Sequence, residues 1–396
     1  MKKERLLETA NQRLLSLGKK ADLVMARGEG MYVYDTEDKE YLDCLAGWAV
    51  NSLGHCPKVL ADILRDQGQK LINASPGFYN EEQILFADAL IQASRFDRVF
   101  FCSTGAEANE SAIKLARKYG EATGRHHIIT TTGSFHGRTL AAMAATGKEA
   151  FKKMFHPVMP GFSHVPLNDL AAIESAVQRD TVAIMLELIQ GEGGVHESTQ
   201  EYIDTLRRLC DQHDLLLIID EVQTGFGRTG KLFAYEHYGL QADIMTLGKG
   251  IGGGYPLAAM LCCESINIFQ PGEQGGTYTG QPLGMAVGRA VLETILSKNI
   301  CKNAEAQGEK IKAELATLAQ DFPIENIRGK GLLIACDTPK ANEIKDAALS
   351  HGLLCNACSA TTLRFIPALT IEDRHISELF EKLRLAFNSV YSTKEN

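Results

Sequence analysis

The sequence predicts an α/β fold: a large domain built on a mostly parallel sheet with helices on both faces, and a smaller α+β domain after it. Three observations carry this. Short apolar or β-branched runs alternate with amphipathic helical stretches between residues 98 and 247, the pattern of repeated strand–helix units. Residues 215–219 are apolar at every position, as a strand buried on both faces requires. Beyond residue 285 the pattern changes to longer helices separated by single short strands.

In chain order, residues 31–43 read as a hairpin with polar Thr36, Glu37 and Asp38 at its tip. Residues 98–102 form a short apolar strand. Residues 106–119 form a helix, with Ala108, Ala112, Ile113, Leu115 and Ala116 on one face. Strands follow at 127–131 and 182–188, a helix at 200–213, and strands at 215–219 and 244–247. Residues 282–297 read as a helix with apolar positions at Ala286, Val287, Ala290, Val291, Ile295 and Leu296. The C-terminal unit adds helices at 303–320, 341–350 and 373–390 and strands at 331–336 and 362–366. The expected division is an N-terminal segment, 1–50, packing with the small domain, a large domain at 51–284, and the small domain at 285–396.

A chain of 396 residues buries about three quarters of its unfolded surface and supports a large core without staples. It has 41 basic and 49 acidic residues, a net charge of −8. That leaves no global basic field, so no nucleic-acid partner is expected. No apolar run approaches the roughly 18–20 residues that span a bilayer, so no membrane is expected either. The first twenty residues mix Lys2, Lys3 and Arg5 with Glu4 and Glu8 around no apolar segment, unlike a secretory or transit signal, and a cytoplasmic location is expected. The ten cysteines are scattered, with one lone Cys355-x-x-Cys358 pair. No metal site is expected from them, and most read as buried, reduced thiols.

The stretch Gly225-Phe226-Gly227-Arg228-Thr229-Gly230-Lys231 imitates two nucleotide motifs and fits neither. A dinucleotide fingerprint needs its glycines at the strand-to-helix turn, but residues 220–224 intervene. A phosphate loop needs Ser or Thr after the lysine, and Leu232 stands there. A tightly turning loop remains. Ser103-Thr104-Gly105-Ala106 is better placed: it joins a strand to a helix, where free amides and the helix dipole favour a phosphate. An ordinary Ser/Thr N-cap is the alternative. Asp220 and Glu221 close an apolar strand, at the edge where α/β sheets bind ligands. Lys249 lies among glycines after another apolar strand, and a half-buried lysine loses basicity and becomes nucleophilic. A strand-end acid, a lysine some thirty residues later and a helix-N-terminal phosphate site together match the needs of pyridoxal 5'-phosphate.

Five motifs then occur in order: Phe101-Cys102-Ser103-Thr104-Gly105-Ala106-Glu107-Ala108-Asn109, Gly133-Ser134-Phe135-His136-Gly137-Arg138-Thr139, Gln190-Gly191-Glu192-Gly193-Gly194, the run from Ile219-Asp220-Glu221-Val222-Gln223 to Gly230, and Leu247-Gly248-Lys249-Gly250. Together they resemble the class III pyridoxal-phosphate aminotransferases of fold type I, over about residues 28–370. The resemblance implies a seven-stranded sheet in the large domain. It implies that Lys249 binds the cofactor aldehyde covalently and moves protons, and that Asp220 pairs with the pyridine nitrogen. It further implies that Gln223 bonds the phenolic oxygen, Phe135 stacks on the ring, and Gly105 and Ala106 give amides to the phosphate. Thr277 would reach the phosphate of a neighbouring subunit, making a homodimer with a shared active site. Arg138 would hold the substrate carboxylate far from the reacting carbon, Arg364 the α-carboxylate of glutamate, and Glu192 would mask Arg364 when the donor has none there.

The implied reaction moves an amino group from an ω-amine to 2-oxoglutarate. N-acetylornithine is the favoured donor, ahead of ornithine, succinylornithine, putrescine, 4-aminobutyrate or a specialised amine. A non-catalytic protein keeping the fold is the alternative from another class, and retention of Lys249 and Asp220 speaks against it. Four residues depart from the acetylornithine pattern: Gly276 for Ser or Thr, Leu188 for Pro, Gln281 for Asn, and Trp48 for a smaller aliphatic residue. None touches the expected cofactor set, so the departures concern the donor.

Overall fold

The computed structural model describes residues 2–15, 17–18 and 20–391. Its centre is a seven-stranded sheet in the order Arg98–Cys102, Ala258–Cys262, Ile244–Leu247, Leu216–Asp220, Thr181–Leu186, His127–Thr131 and Phe162–Val165. The last five pair parallel. Ala258–Cys262 runs antiparallel to both of its neighbours. The mostly parallel sheet is thus the observed one, and its one reversed strand was not read from the sequence. Neither was the edge strand Phe162–Val165.

Alternate residues of the central strands feed two cores. Leu217 and Ile219 join Leu206 and Leu209 of the helix Gln200–His213 on one face. Leu216 and Ile218 join Ala112, Ile113, Leu115 and Ala116 of the helix Gly105–Tyr119 on the other. Each fully buried Leu or Ile contributes about 1.5–3 kcal/mol, which explains why these strands are apolar throughout. The strand read over 182–188 ends earlier, at Leu186. Ile189–Gln190 turns away to pair with His196–Glu197. Glu187 is therefore left, buried, at the same sheet edge as Asp220.

The helix Pro282–Ser297 starts with Pro282 and is capped by Gln281, whose Oε1 accepts the Gly284 amide at 3.0 Å. It packs on the helices Lys58–Lys70 and Glu81–Gln92. A Cβ on Gly288 would come within 2.6 Å of Phe86 and Leu257, so only glycine allows that approach. Beyond it, Glu325–Lys330, Leu333–Asp337, Thr362–Phe365 and Asn356–Ala357 make an antiparallel sheet. The N-terminal strands Met25–Glu29, Tyr32–Asp35 and Glu40–Asp43 take Leu353–Leu354 as a fourth, parallel strand. The Tyr32 hydroxyl also donates to Glu378 at 2.7 Å. Six of the ten cysteines are buried, and all are free thiols.

The glycine-rich stretch 225–230 is a buried, tightly turned loop. Glu221 holds it: its carboxylate accepts the Ala234 and Tyr235 amides at 2.7 and 2.8 Å and the Thr224 hydroxyl at 3.1 Å. Arg228 in this loop is 2% exposed and has no carboxylate partner among the described residues. Burial pushes its guanidinium down to about 9. Its Nη1 donates to the carbonyls of Leu332 and Pro367, at 3.0 and 2.5 Å, and its own carbonyl accepts the Leu332 amide. Arg228 thereby ties the sheet domain to the C-terminal unit. Replacing it with Met leaves two buried carbonyls without donors. Relief of the ion's desolvation offsets part of that loss, so Arg228→Met should lower unfolding stability by about 2 kcal/mol. A urea titration reads the effect, and an unchanged midpoint would count against the tie.

Candidate active site

The site is built on the carboxyl edge of the parallel strands. Asp220 ends Leu216–Asp220 and is 3% exposed. A buried carboxylate needs hydrogen-bond donors, and Asp220 has three. His136 Nδ1 lies 2.7 Å from Oδ2, Asn109 Nδ2 donates to Oδ2 at 2.8 Å, and the Val222 amide donates to Oδ1 at 3.0 Å. Asn109 is itself oriented: its Nδ2 also donates to the His136 carbonyl, and its Oδ1 accepts the Thr246 hydroxyl at 2.7 Å. Three elements thus converge on one acid.

Lys249 follows the strand Ile244–Leu247 with a left-handed φ of 46°. Burial pushes its ammonium below the usual range. Glu192, Glu187 and Asp220 oppose that shift, while Arg364 adds to it. Depressed basicity favours the free amine, the form that attacks an aldehyde or takes up a proton.

Arg364, on the strand Thr362–Phe365, is wholly buried. Its Nη1 donates to the Gly191 carbonyl at 2.7 Å and to Gln223 Oε1 at 3.2 Å, and its Nη2 lies 2.8 Å from Glu192 Oε1. A Cβ on Gly191 would fall 1.8 Å from Gln223 Oε1, so glycine is what lets the loop and the amide share this space. Burial works against the Glu192 charge, yet Arg364 prevails and holds its carboxyl below the usual range. Gln223 Nε2 is buried without a partner among the described residues. Trp48, 46% exposed, sits with its ring 5.7 Å from the Arg364 guanidinium. It lies in a left-handed turn, Ala46–Ala49, with φ from 48° to 68°. Asp43 supports the turn by accepting the Leu45 and Ala46 amides.

Arg138 is exposed, with its guanidinium 4.5 Å from the Phe151 ring and 5.9 Å from the Phe135 ring. At the start of the helix Gly105–Tyr119 a capping box joins Thr104 and Glu107: Thr104 takes the Glu107 amide, and Glu107 takes the Ser103 and Thr104 amides. The Gly105 and Ala106 amides have no partner among the described residues, so the N-cap and the open amides coexist. Gly105 lies against Val222, where a Cβ would come within 2.6 Å of the valine side chain. Thr277 is exposed and lines a cavity of about 220 Å³ with Ser103, Glu107 and Lys114 of its own chain.

The structure therefore brings Asp220, Gln223, Lys249, Glu192 and Arg364 together, sets Gly105 beside Val222, and leaves Arg138 and Thr277 exposed. Three residues of the cluster were not singled out from the sequence. His136 and Asn109 stood inside the motifs without an assigned part. Glu187 was absorbed into an apolar strand, although a lone carboxylate at the end of such a run is a signal in itself. Its carboxylate accepts the Phe135 amide at 2.9 Å and the Gly191 amide at 3.2 Å. Burial, then the neighbouring Asp220, pushes it up to about 7.

The residues present fit pyridoxal phosphate: two open amides at a helix N-terminus for a phosphate, an unpartnered buried amide nitrogen at Gln223, a buried acid, and a lysine of lowered basicity.

Comparison with known proteins agrees with this chemistry. Residues 17–387 match the family described as aminotransferase class-III. The acetylornithine aminotransferase of Caldanaerobacter subterraneus subsp. tengcongensis is 47% identical over 367 residues, 91% of this chain and 93% of its own. Among solved structures, an ornithine aminotransferase from Toxoplasma gondii superposes with a TM-score of 0.95 at 30% identity, covering 100% of this chain and 96% of its own. The N-acetylornithine aminotransferase from Stenotrophomonas maltophilia K279a gives 0.85 at 35%, covering 98% and 100%.

Glu187 makes a pH prediction. Its folded value of about 7 lies above the 4.5 of a free carboxyl, so the folded state keeps a proton that the unfolded chain has released. The contribution of Glu187 to stability is therefore lost as pH rises from about 4.5 to 7. In the cofactor-free protein at pH 6, unfolding should release about one proton more in the wild type than in Glu187→Gln. Calorimetry in buffers of different ionisation heat measures this, and equal release would remove the assignment.

Proposed function

Since this chain belongs to the class III pyridoxal-phosphate-dependent aminotransferases, we propose that it transfers the terminal amino group of N-acetylornithine to 2-oxoglutarate, giving the semialdehyde and glutamate. The observation that carries the reading is the fully buried Arg364 closed by Glu192 at 2.8 Å. A guanidinium binds a carboxylate bidentately. An ω-amine brings no carboxylate beside its reacting carbon, so Glu192 stays and neutralises Arg364. Glutamate and 2-oxoglutarate bring one, and it displaces Glu192. One pocket then serves two substrates of different charge.

Pyridoxal phosphate, when bound, supplies the aldehyde that takes the amino group and the ring that accepts the electrons. The chain does the rest. Asp220 would face the ring nitrogen and favour positive charge there, and His136 and Asn109 hold that acid in place. Lys249, a buried amine of lowered basicity, would carry the proton away from the substrate carbon and return it. Gln223 offers its open Nε2 to the phenolic oxygen. Phe135, anchored through its amide by Glu187, covers the ring face. Arg138, beside the Phe135 and Phe151 rings, takes the carboxylate remote from the reacting carbon in both substrates. Thr277 completes the phosphate site of a second subunit, so the working unit is a homodimer. Several relatives named acetylornithine aminotransferase, from 41% to 47% identical, support the choice of donor. Trp48 and Gly276 favour keeping ornithine, succinylornithine, putrescine and 4-aminobutyrate in the test.

Glutamate formation from 2-oxoglutarate with each of these donors decides the substrate. N-acetylornithine should give the highest kcat/KM, and a tenfold advantage for another amine would reassign it. The cofactor-loaded protein should be yellow and bleached by borohydride. Lys249→Ala should lose turnover entirely, and transamination at the normal rate by that variant would overturn the mechanism.

A further inference from the structure

Lys148 takes no part in the scheme above, and its surroundings are specific. Its Nζ donates to the backbone carbonyl of Glu192 at 2.5 Å. The side chain is half-buried and makes no ion pair among the described residues. Its charge is felt at the Glu192 carboxyl, alongside those of Arg364 and Lys249. Of these three groups, Arg364 is the one the substrate claims and Lys249 is the one that has to stay free to move the proton.

When an α-carboxylate occupies Arg364, Glu192 has to go somewhere. Two carboxylates on one buried guanidinium repel each other. A carboxylate whose side chain is only 24% exposed cannot simply lose its counter-ion without cost. Glu192 can turn about its own side-chain bonds, with its backbone kept in place by the Lys148 bond to its carbonyl. We infer that Lys148 is the second station of the switch, receiving the Glu192 carboxylate whenever substrate holds Arg364. This rests on the aminotransferase reading and adds to it a specificity-determining residue, one that favours the dicarboxylate substrates without touching them.

The inference separates the two half-reactions. In Lys148→Met the displaced Glu192 has no cation to meet, so binding of the α-carboxylate is penalised, while the amine donor, which leaves Glu192 on Arg364, is not. Single-turnover absorbance changes of the cofactor-loaded enzyme, with glutamate and with the amine donor, should show the glutamate half losing about tenfold more than the amine half. Calorimetric affinity for 2-oxoglutarate should weaken by a similar factor, and Lys148→Arg should restore most of both. In a Glu192→Ala background Lys148→Met should add nothing further, because no carboxylate needs a station. Equal slowing of both halves, no slowing, or a full extra loss in the Glu192→Ala background would each overturn the second station. A wild type that reacts with the donor but neither reacts with glutamate nor binds 2-oxoglutarate would instead sink the functional reading, and the station with it.

Discussion

A carboxylate with 3% exposure at the end of an apolar strand is the constraint that the rest of the site obeys. Water is excluded from Asp220, so the chain itself has to provide the donors its carboxyl needs. A helix provides Asn109, the loop after a strand two places along the sheet provides His136, and the next turn of the chain provides the Val222 amide. Thr246, one strand over, keeps the Asn109 amide from rotating. Each donor is fixed by the fold rather than recruited at the moment of reaction, so the acid is preorganised.

That arrangement draws in the other charges. Glu187 shares the sheet edge with Asp220, and two adjacent buried acids cannot both ionise freely. The outcome is that Glu187 is pushed up to about 7 and serves as a double acceptor for the Phe135 and Gly191 amides. The Gly191 loop in turn presents its carbonyl to Arg364, which arrives from the C-terminal sheet. The active centre is therefore assembled across two units, and Arg228, bonded to the Leu332 and Pro367 carbonyls, holds those units in register. Glycines at 105 and 191 make the contacts close enough to work.

How much of this was legible in the sequence follows from what local pattern encodes. Strands buried on both faces are apolar throughout, and those around Leu216–Asp220 could be read directly. Ala258–Cys262 is equally buried but consists of Ala, Ala, Met, Leu and Cys, which lack the β-branched signal. Glu325–Lys330 is polar and half-exposed, with no alternation to find. In the site, a lysine among glycines and an acid closing an apolar run are visible because they are out of place. His136 and Asn109 are not, since nothing local says that a helix residue and a loop residue converge on the same oxygen. Lys148 was invisible for a further reason: its partner is a backbone carbonyl more than forty residues away.

The turn at Ala46–Ala49 has its own consequence. Three non-glycine residues there hold a handedness that costs each roughly 1–2 kcal/mol, and the Asp43 side chain that accepts two amides at its start offsets part of that. The aromatic ring facing the Arg364 guanidinium is thus mounted on strained backbone at the rim of the pocket. Exchange of that residue for glycine would relax the backbone even as it removed the ring, so the rim is free to drift in evolution where the floor of the pocket is not. Divergence in what such a protein accepts should accumulate at this rim first, ahead of any change to the acid, the amine or the guanidinium behind it.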